Sequence, residues 1–179
     1  MSYFLRVFCQ STQLLPSNEI TNFIENGCFF DETPIFHLYQ GTGDRGETDW
    51  QSIAVHYQTG KRPVIIERNV SDQLLQQEIS QILEILKSSG DLNKTTYLIS
   101  TVAASKQVIA IEIDPVGLTD AAWEMLDCLE AHLASSLAGV IYAPDQGFYD
   151  CNLQSLYSFD GNFPQSPSYQ NELAILQQG

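Results

Sequence analysis

Beyond Lys106 the chain contains no lysine and no arginine. All eight basic residues fall between Arg6 and Lys106 beside 12 of the 22 acids, and ten acids stand unopposed in residues 107–179, within a formal net charge of −14. Nucleic-acid affinity comes from cations that neutralise backbone phosphates, so this balance excludes nucleic acid and anionic membrane surfaces as expected partners. A basic protein surface, a cationic ligand or a divalent metal is what such a field attracts, and the same charge also serves plain solubility.

Long apolar runs are missing as well: none approaches the roughly 18 residues that a membrane-spanning helix needs. The opening Met1-Ser2-Tyr3-Phe4-Leu5-Arg6-Val7-Phe8 reads as a strand and meets polar Gln10-Ser11-Thr12-Gln13 too soon for the apolar region of a signal peptide. Cysteines are few, at Cys9, Cys28, Cys128 and Cys151, with no C-x-x-C pair. Neither a zinc knuckle nor a disulfide framework is expected, and free thiols point to a reducing, cytoplasmic setting. The chain also lacks a serine nucleophile elbow, a phosphate-binding P-loop, a His-Glu-x-x-His motif and any repeat of solenoid period. No cofactor and no metal-ligand set is therefore assigned.

What the sequence does contain suffices for a core. Of its 179 residues 44% are hydrophobic, including nine Phe, eight Tyr and two Trp. That length predicts one domain, residues 1–157, and the shift to Asp160-Gly161-Asn162, then to proline and glutamine, predicts an extended tail over 158–179 with a short helix at Glu172–Gln177.

Apolar residues of both parities in Tyr3–Cys9 predict a strand buried on both faces. Pro16-Ser17 opens a helix over 17–26 with Ser17 as its cap. A strand follows at Pro34–Tyr39, then a hairpin in which Thr59-Gly60 joins 53–57 to Val64-Ile65-Ile66. The stripe Leu74, Leu75, Ile79, Ile82, Leu83, Leu86 predicts a helix over 71–88 capped by Ser71. Residues 95–105 lean to a short helix, since Ala103-Ala104 suit a strand poorly.

The organising stretch is Lys106–Tyr149. It reads as strand 107–114, helix 119–137 with Thr119 as cap, strand 139–143, and a turn at Pro144-Asp145-Gln146-Gly147 leading into Phe148-Tyr149. A crossover helix between two apolar strands predicts a parallel βαβ pair. The fold class expected is α+β: a mixed, mostly antiparallel sheet of about five to seven strands with one parallel pair and helices packed on it, an inventory that also allows two ferredoxin-like halves.

Three groups of residues invite chemistry. Carboxylates beyond the ends of a parallel pair, Asp114 and Asp145, with Tyr149 and Asp150 returning from the hairpin and Glu112 on the strand, form the candidate binding set; they suit Mg²⁺ or Ca²⁺, or acid–base work, although Asp beside Pro and Gly also serves turns. Gly41-Thr42-Gly43-Asp44-Arg45-Gly46 matches G-x-G-x-x-G, with Glu67 where a ribose-binding acid would stand, but Asp44, Glu47 and Asp49 crowd the place a pyrophosphate would take. Glu124, Cys128 and His132 form a stripe opposite the core face of the long helix, too drawn out for one metal ion and better suited to solvent or a partner. His37 and His56 are expected to be structural.

The leading expectation is a non-enzymatic acidic interaction or regulatory module that binds a basic protein surface, with a homo-oligomer left open. The alternatives are a small metal-dependent enzyme or divalent-cation-binding domain built on the carboxylates, and nucleotide binding at Gly41–Gly46.

Overall fold

The computed structural model describes residues 2–40, 46–70 and 72–159. Eight strands form a single sheet: β1 (Tyr3–Cys9), β2 (Ile35–Gln40), β3 (Trp50–His56), β4 (Val64–Asn69), β5 (Gln107–Ile113), β6 (Gly139–Ala143), β7 (Gly147–Tyr149) and β8 (Ser155–Ser158). Their spatial order is β2-β3-β4-β5-β1-β6-β7-β8. The helices are α1 (Ser17–Gly27), α2 (Asp72–Ser88), α3 (Leu92–Ala103) and α4 (Asp120–Ser136).

Every ladder in this sheet is antiparallel, so the expected parallel pair is corrected. Strands β5 and β6 do run in the same direction, but β1 lies between them, with Val7 facing Ile109 on one side and Ile141 on the other. The reason is one of size. A helix with its side chains is about 10 Å across, whereas neighbouring strands are about 4.8 Å apart, so a crossover helix lying flat on a sheet spans two strand spacings comfortably. The gap under α4 is filled by the strand whose two faces are both apolar. The element order does not divide into two βαββαβ units, so the ferredoxin-like halves are not found.

Helices cover both faces of the sheet. On one face α1 and α4 enclose Leu5, Val7, Ile109, Ile111 and Ile141 together with Trp50, Ile53 and Val55. The other face packs Phe8, Val108, Val140, Tyr142 and Phe148 against Leu75, Ile79 and Ile82 of α2 and Leu98 and Val102 of α3. The buried sheet residues of this second core come from β5, β1, β6 and β7 alone. On this second side, strands β2, β3 and β4 are consequently left without a covering helix among the described residues.

Local chemistry explains the helix ends. Thr119 caps α4, its hydroxyl accepting the N–H of Ala122 at 3.3 Å, and Asp91 caps α3. Ser17 is the first residue of α1 rather than its cap, which is Pro16 without a side-chain bond. The expected Ser71 cap, most of the Gly41–Gly46 loop and the tail from 160 onward, with its short helix, lie outside the described residues. Gly46 itself opens a 3-10 turn, Gly46–Thr48, and the helix that a dinucleotide site would place next is strand β3. No helix among the described residues is long and apolar enough to cross a membrane.

Candidate functional site

The five carboxylate and phenol residues of the binding set occupy three regions. Asp114 and Asp145 lie at the same end of the sheet, where β5 and β6 finish, with β1 between them. Asp114 stands 3.8 Å from Arg62, and its carbonyl accepts the N–H of Gly117. Asp145 has φ 62 and follows Pro144 in a turn closed by Gln146 N–H to the carbonyl of Ala143, the left-handed third position of a type II turn. Because β7 runs antiparallel to β6, the chain beyond the hairpin leads away from Asp145. Asp150 ends at the opposite side, where its Oδ1 accepts the N–H groups of Asn152 at 2.8 Å and Gln154 at 2.9 Å. That side chain is spent on the β7–β8 turn. Tyr149 is buried in the α1/α4 layer.

Glu112 faces the other way. Alternation along β5 puts Ile109, Ile111 and Ile113 against α1 and α4, and Glu112 with Val108 on the α2/α3 face. It is half-buried and accepts the Ser2 hydroxyl at 2.5 Å. Its neighbours are acids. In the β4–β5 register Ile65 faces Glu112 and Glu67 faces Ala110, so the two glutamates sit diagonally on one face. From α2, Glu78 reaches Arg6 with Oε2 2.5 Å from Nε. Burial, then Glu112, then Glu78 push the Glu67 carboxyl above its ordinary range. Three glutamates thus gather on one face, and one of them, Glu78, pairs with Arg6.

This cluster adjoins the uncovered face. Phe36 packs on the α1/α4 core, so alternation turns Ile35, His37 and Tyr39 outward to the uncovered side. There the rings of His37 and His56 meet at a tilt of 57° with centroids 4.7 Å apart, and Ile65 and Ser52 are half-buried beside them. A shallow recess of about 260 Å³ includes Glu32, His37, His56 and Lys61. An apolar and aromatic strip ending in a cluster of carboxylates can hold a segment that is apolar at one end and cationic at the other.

The stripe on α4 is solvent-exposed at Glu124 and Cys128 and packed at His132. His132 stacks on Phe23 of α1 at 4.2 Å, and its Nε2 lies 3.5 Å from Glu19. Cys28, at the end of α1, has its thiol pushed up to about 11 by burial and by Cys128 and Glu124. The stripe therefore borders the α1–α4 contact, which only His132 enters. Among the described residues no group of three or more His, Cys, Asp and Glu is placed to hold a metal ion.

One buried acid carries no mark in the candidate set. Glu130 is fully buried on α4, and neither carboxylate oxygen has a hydrogen-bond partner among the described residues. Burial, with Asp127 adding to it, pushes its carboxyl far above the usual range. The Tyr149 hydroxyl is likewise buried without a partner, and its phenol is raised by burial first and then by Glu130 and Asp127. Spacing alone could have found Glu130, since it falls four residues after Leu126 and three before Leu133, inside the apolar stripe. No protein-family model matches the chain, and no curated protein or solved structure shows significant similarity to it.

Proposed function

We infer that the protein is a non-enzymatic interaction module whose open β2–β3–β4 face accepts a basic segment of a partner protein. The observation that carries this reading is the gathering of Glu67, Glu78 and Glu112 at the border of the uncovered face, where among the described residues Arg6 pairs with Glu78. Bringing a partner lysine or arginine there relieves the repulsion from Glu112 and Glu78 that adds to burial in raising the Glu67 carboxyl, which gives the cation a specific place rather than a diffuse field. Its four free cysteines suit a reducing compartment such as the cytoplasm.

The test uses a lysine- and arginine-rich peptide as probe, titrated calorimetrically at low and high salt. Replacing Glu67, Glu78 and Glu112 by glutamine should weaken binding by roughly tenfold, about 1.4 kcal/mol. Neutralising three exposed acids elsewhere, Glu25, Asp120 and Glu124, changes net charge equally and should do far less. Glu112→Gln alone leaves the Arg6–Glu78 pair intact and should give part of the effect. Equal weakening by the two triple variants would show that the peptide reads net charge only, and the reading would fall.

A further inference from the structure

Strand β2 is one end of the sheet, and nothing among the described residues pairs with its outer edge. Such an edge presents a row of free N–H and C=O groups, and proteins ordinarily blunt it with lysine, proline, an inward charge or brevity. None of these devices is present. Ile35-Phe36-His37-Leu38-Tyr39-Gln40 carries no Asp, Glu, Lys or Arg, and Pro34 precedes the strand without interrupting it. Its one irregularity, a register shift toward β3, falls at Tyr39/Gln40 and leaves 35–39 regular. The opposite edge, β8, is shorter at four residues, and its pairing with β7 is broken by a register shift. Large apolar side chains are also exposed on β2: Ile35 is 61% accessible, Tyr39 60% and Leu38 40%.

We propose that β2 pairs antiparallel with β2 of a second copy of this chain, about a two-fold axis at His37. The occupant follows from the pattern. An axis normal to the sheet keeps each face of one copy beside the same face of the other, so residues opposite one another must share a parity. Centred on His37, the register sets Ile35 opposite Tyr39 and Phe36 opposite Leu38, so every exposed apolar residue of the strand meets an apolar or aromatic one. His37 meets its own copy, beside the tilted His37–His56 ring contact. A basic partner would gain no charge complementarity at this edge, because the strand has no acid. The nearest acids before the strand, Asp31 and Glu32, lie outside the paired residues 35–39, and screening limits repulsion between the two copies to about 8 Å at physiological salt. The pairing sets the two uncovered faces side by side on one continuous sheet, and it stands independently of whether those faces bind a basic partner.

Light scattering on the full chain should give twice the 20.0 kDa monomer mass at high concentration and fall toward the monomer on dilution. His37→Lys and Leu38→Lys place like charges close to the axis and should each give a folded monomer, checked by unchanged circular dichroism. His37→Cys should form a disulfide-linked dimer under mild oxidation, because facing Cα atoms of an antiparallel pair lie within the reach of a disulfide. Tyr39→Cys and the parent chain should not. A parent chain that stays monomeric at every concentration, or a dimer that both lysine variants leave intact, overturns the proposal; cross-linking by Leu38→Cys instead of His37→Cys overturns the register.

Discussion

Glu130 offers the sharpest quantitative test of the packing. The residue lies inside the α1/α4 layer, on the same face of α4 as Leu126, Leu133 and Ala134, with both carboxylate oxygens unpartnered. Its carboxyl is raised, so the folded state holds the proton more tightly than the unfolded chain does. Below the ordinary value of about 4.3 the group is neutral in both states and costs nothing in charge. As pH rises past that point the unfolded chain ionises and the folded one does not, so stability falls by about 1.4 kcal/mol per pH unit. The fall stops where the folded-state pKa is reached. Between pH 4.3 and pH 7 this one group can remove up to about 4 kcal/mol, a large share of a typical stability of about 5–15 kcal/mol.

Glu130→Gln keeps the shape and removes the titration. Its buried amide still lacks partners, at a cost of about 1–3 kcal/mol that does not vary with pH. The expected result is therefore a crossing: similar or lower stability than the parent at pH 4, and higher stability at pH 7. Glu130→Met should exceed the parent at both values, since it also removes the unsatisfied polar atoms. Urea unfolding from pH 4 to pH 8 measures each difference, and subtraction from the parent cancels every other titrating group. A difference between parent and Glu130→Gln that is flat across that range would refute the reasoning, because it would mean that Glu130 is ionised in the fold.

Other perturbations probe the remaining joints. Tyr149→Phe removes a buried hydroxyl without a partner and should be neutral or stabilising by about 1 kcal/mol in the same unfolding assay, in contrast to the usual loss from a core substitution. At Gly147, φ is +149 and an added Cβ would lie 2.0 Å from the Tyr157 carbonyl oxygen, so Gly147→Ala should separate β8 from β7 and raise amide exchange in 155–158. The Gln107 amide donates to the carbonyls of Ser11 at 2.9 Å and Gln13 at 2.7 Å; Gln107→Ala should cost about 1–3 kcal/mol and speed proteolysis within residues 10–16. Thr119→Ala removes the α4 cap and should cost about 1 kcal/mol, read as a lower urea midpoint.

The helices were legible because they answer to local rules. Stripe spacing found α2 and the core face of α4, and a threonine before an acid marked where α4 begins. Strand order answers to something else. Hydrogen bonds along a ladder are much the same whichever strand supplies them, so the partner of a strand is chosen by which two-faced apolar segment fits beneath the helices. That information was present in β1, whose successive residues Val7 and Phe8 enter opposite cores, yet its partners β5 and β6 are about a hundred residues or more away in sequence. The error over the parallel pair carried through to the candidate site. With β1 in the slot, Asp114 and Asp145 stand two strand spacings apart, about 10 Å, and the antiparallel β7 takes Asp150 to the far side. Glu67, by contrast, gained its neighbour only through the β4–β5 pairing, joining residues 67 and 112 that no spacing rule connects. A site made of one residue per strand is set by the order of strands, and so it becomes readable only after the sheet is.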